Sequence, residues 1–226
     1  MDVFAEIPPR KLMNRCVDVI QQSLRSSGES VALPALMLLV NLTREVRGQE
    51  AFLHMGEDSE CVNLLKLLDW IYQFRNNEAS FLENCLNVLT NLTSIDVARQ
   101  FVLKPERKVI PFILSNAAPI ALAAVLRVVR NCCFDSAAHE AVITSDGTLW
   151  SVVVGPLVGS DLVDSKEFDE MPKLIQDLWN PGKCRSDDSN VRILVVEILQ
   201  LLVRKTSTRS FMKKELNLVR TFPFLD

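Results

Sequence analysis

The sequence predicts an all-α fold built from repeated helical units. Three observations lead there: apolar residues recur at helical spacing, glycine is scarce, and the chain matches itself at intervals. Cys61, Leu64, Leu65, Leu68 and Tyr72 follow the i, i+3, i+4, i+7, i+11 pattern that places an apolar stripe along one side of a helix. Only seven of 226 residues are Gly, while 48% are apolar. A sheet protein of this length would need more Gly-containing turns and more aromatic strand residues.

Taken in chain order, Val31 to Leu42 is apolar nearly all round, which predicts a helix buried between neighbours. The Cys61–Tyr72 stripe comes next. Leu82, Cys85, Leu86, Leu89 and Leu92 form a third helix, and Ala121, Ala124, Val125, Val128 and Cys132 a fourth. Ser151 to Val158 comes nearest to strand-like alternation but is short and interrupted by Gly155 and Pro156. Residues 160–190 read as an acidic, partly irregular insertion with a short apolar patch from Leu174 to Trp179. Val191, Leu194, Val195, Ile198 and Leu202 make a further helix. Ser26–Gly28, Arg75–Asn77, Lys104–Pro105, Ala118–Pro119 and Asp146–Gly147 read as helix ends or turns.

The self-match is specific. Leu36-Met-Leu-Leu-Val-Asn41-Leu-Thr leads to Ala51-Phe-Leu53, and Cys85-Leu-Asn-Val-Leu-Thr-Asn91-Leu-Thr leads to Phe101-Val-Leu103. Leu126-Arg-Val-Val-Arg-Asn131-Cys-Cys leads to Ala141-Val-Ile143. A weaker copy runs from Ile198 through Leu201 to Phe211-Met212. The copies lie 50, 40 and 70 residues apart, the last interval enlarged by the acidic insertion. Intervals near 40 to 47 belong to armadillo and HEAT solenoids, whose units must stack because none covers its own apolar face. The expected architecture is an armadillo/HEAT-like right-handed superhelical solenoid of about four repeats. It makes one domain over residues 1–226, with the insertion at about 160–190.

An apolar helix ending in Asn-Leu resembles the third helix of an armadillo repeat. In that family the Asn side chains form a ladder along a concave groove and bond a partner's backbone. Asn41, Asn91 and Asn131 match the ladder; Leu201 breaks it in the fourth copy. Asn41-Leu-Thr-Arg-Glu, Val129-Arg-Asn-Cys-Cys-Phe-Asp, Pro156-Leu, Met171-Pro closing the acidic stretch and Asp188-x-x-Val-Arg occur in order. This ordered set is similar to a eukaryotic armadillo-like cochaperone family that links the cytosolic chaperonin to folding of translation elongation factor 2. The resemblance spans roughly residues 30 to 222, with the chain shorter than family members at both ends. It implies protein partners of those two kinds.

Candidate contact residues share helix faces with the ladder, since residues three or four apart lie together. Asn84, Asn87 and Asn91 form one polar stripe, and Arg127, Arg130 and Asn131 another. Arg44 continues the stripe from Asn41, while Glu197 and Arg204 flank Leu201. An amide offers both donor and acceptor, so an aligned row suits an extended partner backbone. Terminal Asn side chains also commonly brace adjoining helices, and that alternative stays open. A transport-type adaptor for basic peptides would carry Trp four residues before each Asn. Met37, Asn87 and Arg127 stand there instead, so the groove suits neutral or acidic segments better.

Other chemistry is thin. A net charge of −3 gives no overall field for nucleic acid or membrane. The longest apolar runs are about half a bilayer span, and Asp2 and Glu6 before two prolines do not make a secretory signal. The six cysteines lack C-x-x-C spacing, which fits a reduced cytoplasmic or nuclear protein. Two N-x-T matches, at Asn41 and Asn91, fall at the ends of packed helices and are not expected to be glycosylated. His54 and His139 have no metal-spaced companion and read as ordinary helix-surface residues. No nucleophile, phosphate-cradling or zinc motif occurs, so neither catalysis, a cofactor nor a small-molecule substrate is expected.

Overall fold

The computed structural model describes residues 9–25, 31–57, 61–74, 79–115, 121–136, 138–139, 152–159, 168–180, 182 and 184–216. Among these the regular elements are helices throughout. The chain divides into two compact units, residues 1–104 and 105–226.

The first unit opens with α1 (Pro9–Arg25), a helix beyond those expected from the sequence. Its buried Met13, Cys16, Val17 and Ile20 recur at i, i+3, i+4, i+7, a stripe that packs on α2 (Ala32–Leu42) and α3 (Val46–Leu53). Helix α2 departs from the expectation that it is buried all round. Leu36 and Leu39 are fully buried, but Met37 and Leu38 are 51% and 41% exposed. An apolar composition predicts burial on average; here the packing of α2 on α1 and α5 (Ala79–Leu92) leaves these two side chains partly uncovered. Helix α4 (Val62–Phe74) packs on α5, and α6 (Asp96–Val102) closes the unit. The stripe assigned to α4 is imperfect, because Leu65 is exposed and Cys61 precedes the helix with a φ of 64°.

In the second unit, α7 (Val109–Ser115) packs on α8 (Leu122–Cys132). A 3-10 turn spans Gly155–Leu157, and another spans Phe168–Glu170. The insertion holds a short helix, α9 (Lys173–Leu178), beyond which the Trp179 ring meets Phe168 in a tilted contact, 4.9 Å between ring centroids. Helix α10 (Ser189–Leu202) packs on α8, and α11 (Thr206–Leu216) follows. Asp188 caps α10 by accepting from the Asn190 backbone N–H at 2.8 Å. The turns expected at 26–28, 75–77, 118–119 and 146–147, the apolar triplet 141–143 and the acidic residues 160–167 lie outside the described residues.

The repeat is written in hydrogen bonds as well as in sequence. Helices α2, α5, α8 and α10 are each closed by the residue that follows them, Thr43, Thr93, Cys133 and Val203. At each end the closing residue's N–H bonds the carbonyl four back: Leu39, Leu89, Val129 and Leu199, at 2.9 to 3.0 Å. The next N–H, of Arg44, Ser94, Phe134 or Arg204, bonds the carbonyl of Asn41, Asn91, Asn131 or Leu201 at 3.3 Å. Six residues past each end a side chain turns back onto the closing carbonyl. Gln49 Nε2 donates to Thr43 at 2.9 Å, Arg99 Nη1 to Thr93 at 3.1 Å and Arg209 Nε to Val203 at 2.8 Å. His139 Nε2 lies 2.8 Å from the Cys133 carbonyl, which can only accept, so this ring carries its proton on Nε2. These clamps satisfy carbonyls that a helix end otherwise leaves open. Eleven residues past each Asn position, Phe52, Val102 and Met212 are buried.

Candidate functional site

The expected contact residues separate between the two units. In the first, Asn41 and Arg44 are exposed at the end of α2, while Asn84, Asn87 and Asn91 are half-buried along α5. Asn91 Nδ2 donates to the Val40 carbonyl at 3.0 Å and to Thr43 Oγ1 at 3.0 Å. Its amide nitrogen therefore braces the end of α2, the alternative role that the sequence left open. Asn84 Nδ2 bonds the Ser80 carbonyl of its own helix at 2.7 Å. The Asn41 and Asn91 sequons have their Thr43 and Thr93 hydroxyls buried and bonded to the Leu39 and Leu89 carbonyls.

In the second unit, Arg127 and Arg204 are exposed, and Arg130, Asn131 and Glu197 are half-buried. Two of these meet: Arg130 Nε lies 2.9 Å from Glu197 Oε2, tying α8 to α10. The Arg130 guanidinium also lies over the exposed Phe134 ring, 5.1 Å from its centroid. The face around Glu197 continues into an open groove of about 550 Å³, lined by Leu157, Arg185, Arg192, Ile193, Val196 and Gln200. The sequence reading missed this groove, since Leu157 and Arg185 are brought to α10 by a loop contact, Ser186 N–H to the Pro156 carbonyl at 3.0 Å.

Both histidines are buried, against the expectation of surface positions, with His54 8% and His139 3% exposed. His54 closes α3 in the left-handed conformation, φ 53°. Its Nε2 lies 3.0 Å from Asn14 Oδ1 and 3.0 Å from Asn63 Nδ2, and its Nδ1 lies 3.4 Å from Glu57. Burial holds its pKa below the ordinary value of 6.5, reinforced by the charges of Arg10 and Lys66. Glu57 would favour the charged ring, but its carboxylate is itself paired with Arg10. The thiols of Cys85 and Cys133 are pushed well above the ordinary range by burial, which makes them poor nucleophiles. Among the described residues, no group of three His, Cys, Asp or Glu side chains is placed to hold a metal ion. No described helix is long and apolar enough to cross a membrane.

A family model described as a domain of unknown function, DUF383, matches residues 24–193. The chain belongs to this DUF383 family. Curated relatives carry the name Protein HGH1 homolog. The one from Dictyostelium discoideum is 26% identical over 94% of this chain and 61% of its own length. Those from Mus musculus and Xenopus tropicalis are each 26% identical, over 74% and 84% of this chain and 44% and 53% of their own lengths. This DUF383 chain thus spans less than two thirds of each of these relatives. The match covers the first three copies of the helix-end pattern and the start of α10.

Proposed function

We propose that this chain is a protein-binding adaptor of the cochaperone class, without catalytic activity, and that it works in the cytoplasm with translation elongation factor 2 and the cytosolic chaperonin. In this reading its helices stack as one armadillo-type right-handed solenoid of about four repeats. Partners meet the polar faces that carry Asn41, Arg44, Asn84 and Asn87 in one unit and Arg127, Arg130, Asn131, Glu197 and Arg204 in the other. The observation that carries the reading is the common register of four helix ends, three of which have Asn two residues before the closing position. A repeated end with a repeated polar residue is what a surface needs to meet a partner at regular intervals. The ordered motifs from Asn41-Leu-Thr to Asp188-x-x-Val-Arg support the choice of partners, as does membership of a family whose curated relatives are HGH1 homologs.

Asn91 is a poor residue for testing this reading, because its loss would also release the end of α2. Asn41 and Arg127 are exposed and give cleaner variants. Affinity purification of the tagged chain from eukaryotic cells, quantified by mass spectrometry, should enrich elongation factor 2 and chaperonin subunits. Asn41→Ala with Arg127→Glu should lower that enrichment roughly tenfold, about 1.4 kcal/mol, with an unchanged circular dichroism spectrum. Absence of both proteins from the wild-type capture would refute the cochaperone assignment. Equal capture by the double variant would refute the contact faces alone.

A further inference from the structure

Counted back from the closing residue, two positions of the repeated helix are apolar in all four copies. Twelve residues before it stand Val31, Phe81, Ala121 and Val191, and five before it Leu38, Val88, Val128 and Ile198. The six that belong to α5, α8 and α10 are at most 4% exposed. In α2 the same two positions are open, Val31 at 52% and Leu38 at 41%. Pro34, Met37 and Asn41 are exposed as well, and helical spacing gathers them with Val31 and Leu38 on one side of α2. Single exposed hydrophobes are ordinary, whereas a continuous apolar face marks a place where something binds. This face runs about 15 Å along the helix at the α-helical rise and ends at the Asn41 amide.

Helix α5 shows what such a face receives. Asn91, fifty residues after Asn41, donates to the Val40 carbonyl and the Thr43 hydroxyl, both at 3.0 Å. That flank of α5 is therefore turned to α2, with Val88 buried one turn before Asn91. Because the end of α5 meets the end of α2, the two helices run in the same direction. What α5 receives is thus an apolar helix lying parallel to it, whose last-turn carbonyls, unpaired within their own helix, accept from the Asn amide. Asn41 holds the equivalent place on α2. It is exposed, and among the described residues its side-chain amide bonds no other group.

We propose that the face of α2 from Val31 to Asn41 receives an amphipathic helix of a partner protein. That helix lies parallel to α2, with its aliphatic side chains on Val31 and Leu38 and its last-turn carbonyls accepting from Asn41. A second copy paired through the same face does not reproduce this bond, because the acceptors at the end of α2, Val40 and Thr43, already receive Asn91. Met37 stands where α5 has Asn87, which makes the face more apolar, and its unbranched thioether side chain adapts to the helix it meets. Aliphatic anchors three, four and seven residues apart are how a helix is read by such a surface. The inference rests on the reading that this chain binds proteins, and it makes the segment bound at Asn41 a helix rather than extended backbone.

Screening the purified full chain against a library of stapled helical peptides tests it, with enriched peptides titrated by fluorescence anisotropy. The expected consensus has Leu, Ile, Val or Met at spacings of three and four, bound one to one. Leu38→Asp should weaken those peptides roughly tenfold or more, and Asn41→Ala by a smaller factor. Melting curves identify any variant that fails to fold, and Val31→Asp, at a more exposed position, then replaces Leu38→Asp. A nitroxide on the peptide's C-terminus should broaden the backbone resonances of Asn41 and Arg44, and one on its N-terminus those of Val31 and Ala32. The reversed pattern would overturn the proposal, as would undiminished binding by every folded variant or enriched sequences without helical spacing. A concentration-dependent dimer of the chain alone, seen by light scattering and abolished by Leu38→Asp, would also overturn it by assigning the face to a second copy. Capture of elongation factor 2 from cells is a separate measurement, so failure of the peptides leaves that result standing.

Discussion

His54 and Gly48 show how tightly individual positions of the first unit are set. At Nε2 neutral His54 can accept from Asn63 whereas a protonated ring can donate to Asn14 Oδ1, so what disfavours the charged form is burial, reinforced by Arg10 and Lys66. The folded pKa lies below the ordinary 6.5, so the unfolded chain takes up the proton first as pH falls. The stability associated with His54 is therefore complete above about pH 6.5 and is lost as pH falls through the folded value. Urea midpoints measured at pH 7.5 and 5.5 should fall with pH, and the fall should be smaller in His54→Gln. An equal fall in both would remove His54 as its cause. Gly48 is constrained by space: a Cβ there would lie 1.9 Å from the Leu42 carbonyl oxygen, a backbone atom that cannot step aside. Gly48→Ala should cost about 1–3 kcal/mol and lower the melting temperature by several degrees. An unchanged melting curve would mean that α3 can shift away from α2 without loss.

Helices were legible in the sequence wherever apolar spacing and composition agreed. The stripes of Leu82 to Leu92 and Ala121 to Cys132 are buried as expected, with α5 packed on α2 and α4 and α8 on α7 and α10. Helix α1 was legible from Met13, Cys16, Val17 and Ile20, although the polar residues between them lower its mean apolar character. Exposure of Met37 and Leu38 was not legible, because it depends on which neighbours α2 has rather than on its own residues. The clamp on each helix end was hidden for another reason. Gln49, Arg99, His139 and Arg209 share only an N–H donor at a fixed distance from the helix end, so residue likeness does not reveal them. Gln49 is buried, with its amide nitrogen on the Thr43 carbonyl and its oxygen accepting from Ser94 at 3.1 Å. Gln49→Leu keeps the volume but takes the side-chain donor from the Thr43 carbonyl, while the exposed Ser94 hydroxyl keeps its bond to the Asn91 carbonyl, and should destabilise by about 1–3 kcal/mol, read from chemical denaturation. A loss of under about 0.5 kcal/mol would fall within the range of ordinary surface changes and would make the clamp dispensable.

At the scale of the whole molecule, the proposed contacts differ in charge between the two units in a way that the net value of −3 conceals. The proposed contacts of the first unit are Asn41, Asn84 and Asn87 with a single cation, Arg44. Those of the second are Arg127, Arg130 and Arg204 against Glu197, with Arg185 and Arg192 in the adjoining groove. Amide contacts are short-ranged and insensitive to salt, whereas guanidinium contacts at exposed positions are screened beyond the Debye length. That length shortens from about 10 Å at 0.1 M to about 3 Å at 1 M salt. If partners engage both units, capture should have a salt-sensitive part carried by the second and a residual part carried by the first. Raising NaCl from 0.1 to 1 M should weaken wild-type capture severalfold. It should change Arg127→Glu capture much less, since that variant has already lost favourable charge. The two proteins should then converge at high salt. Parallel salt curves for the two would place Arg127 outside the interface, whatever the partner proves to be.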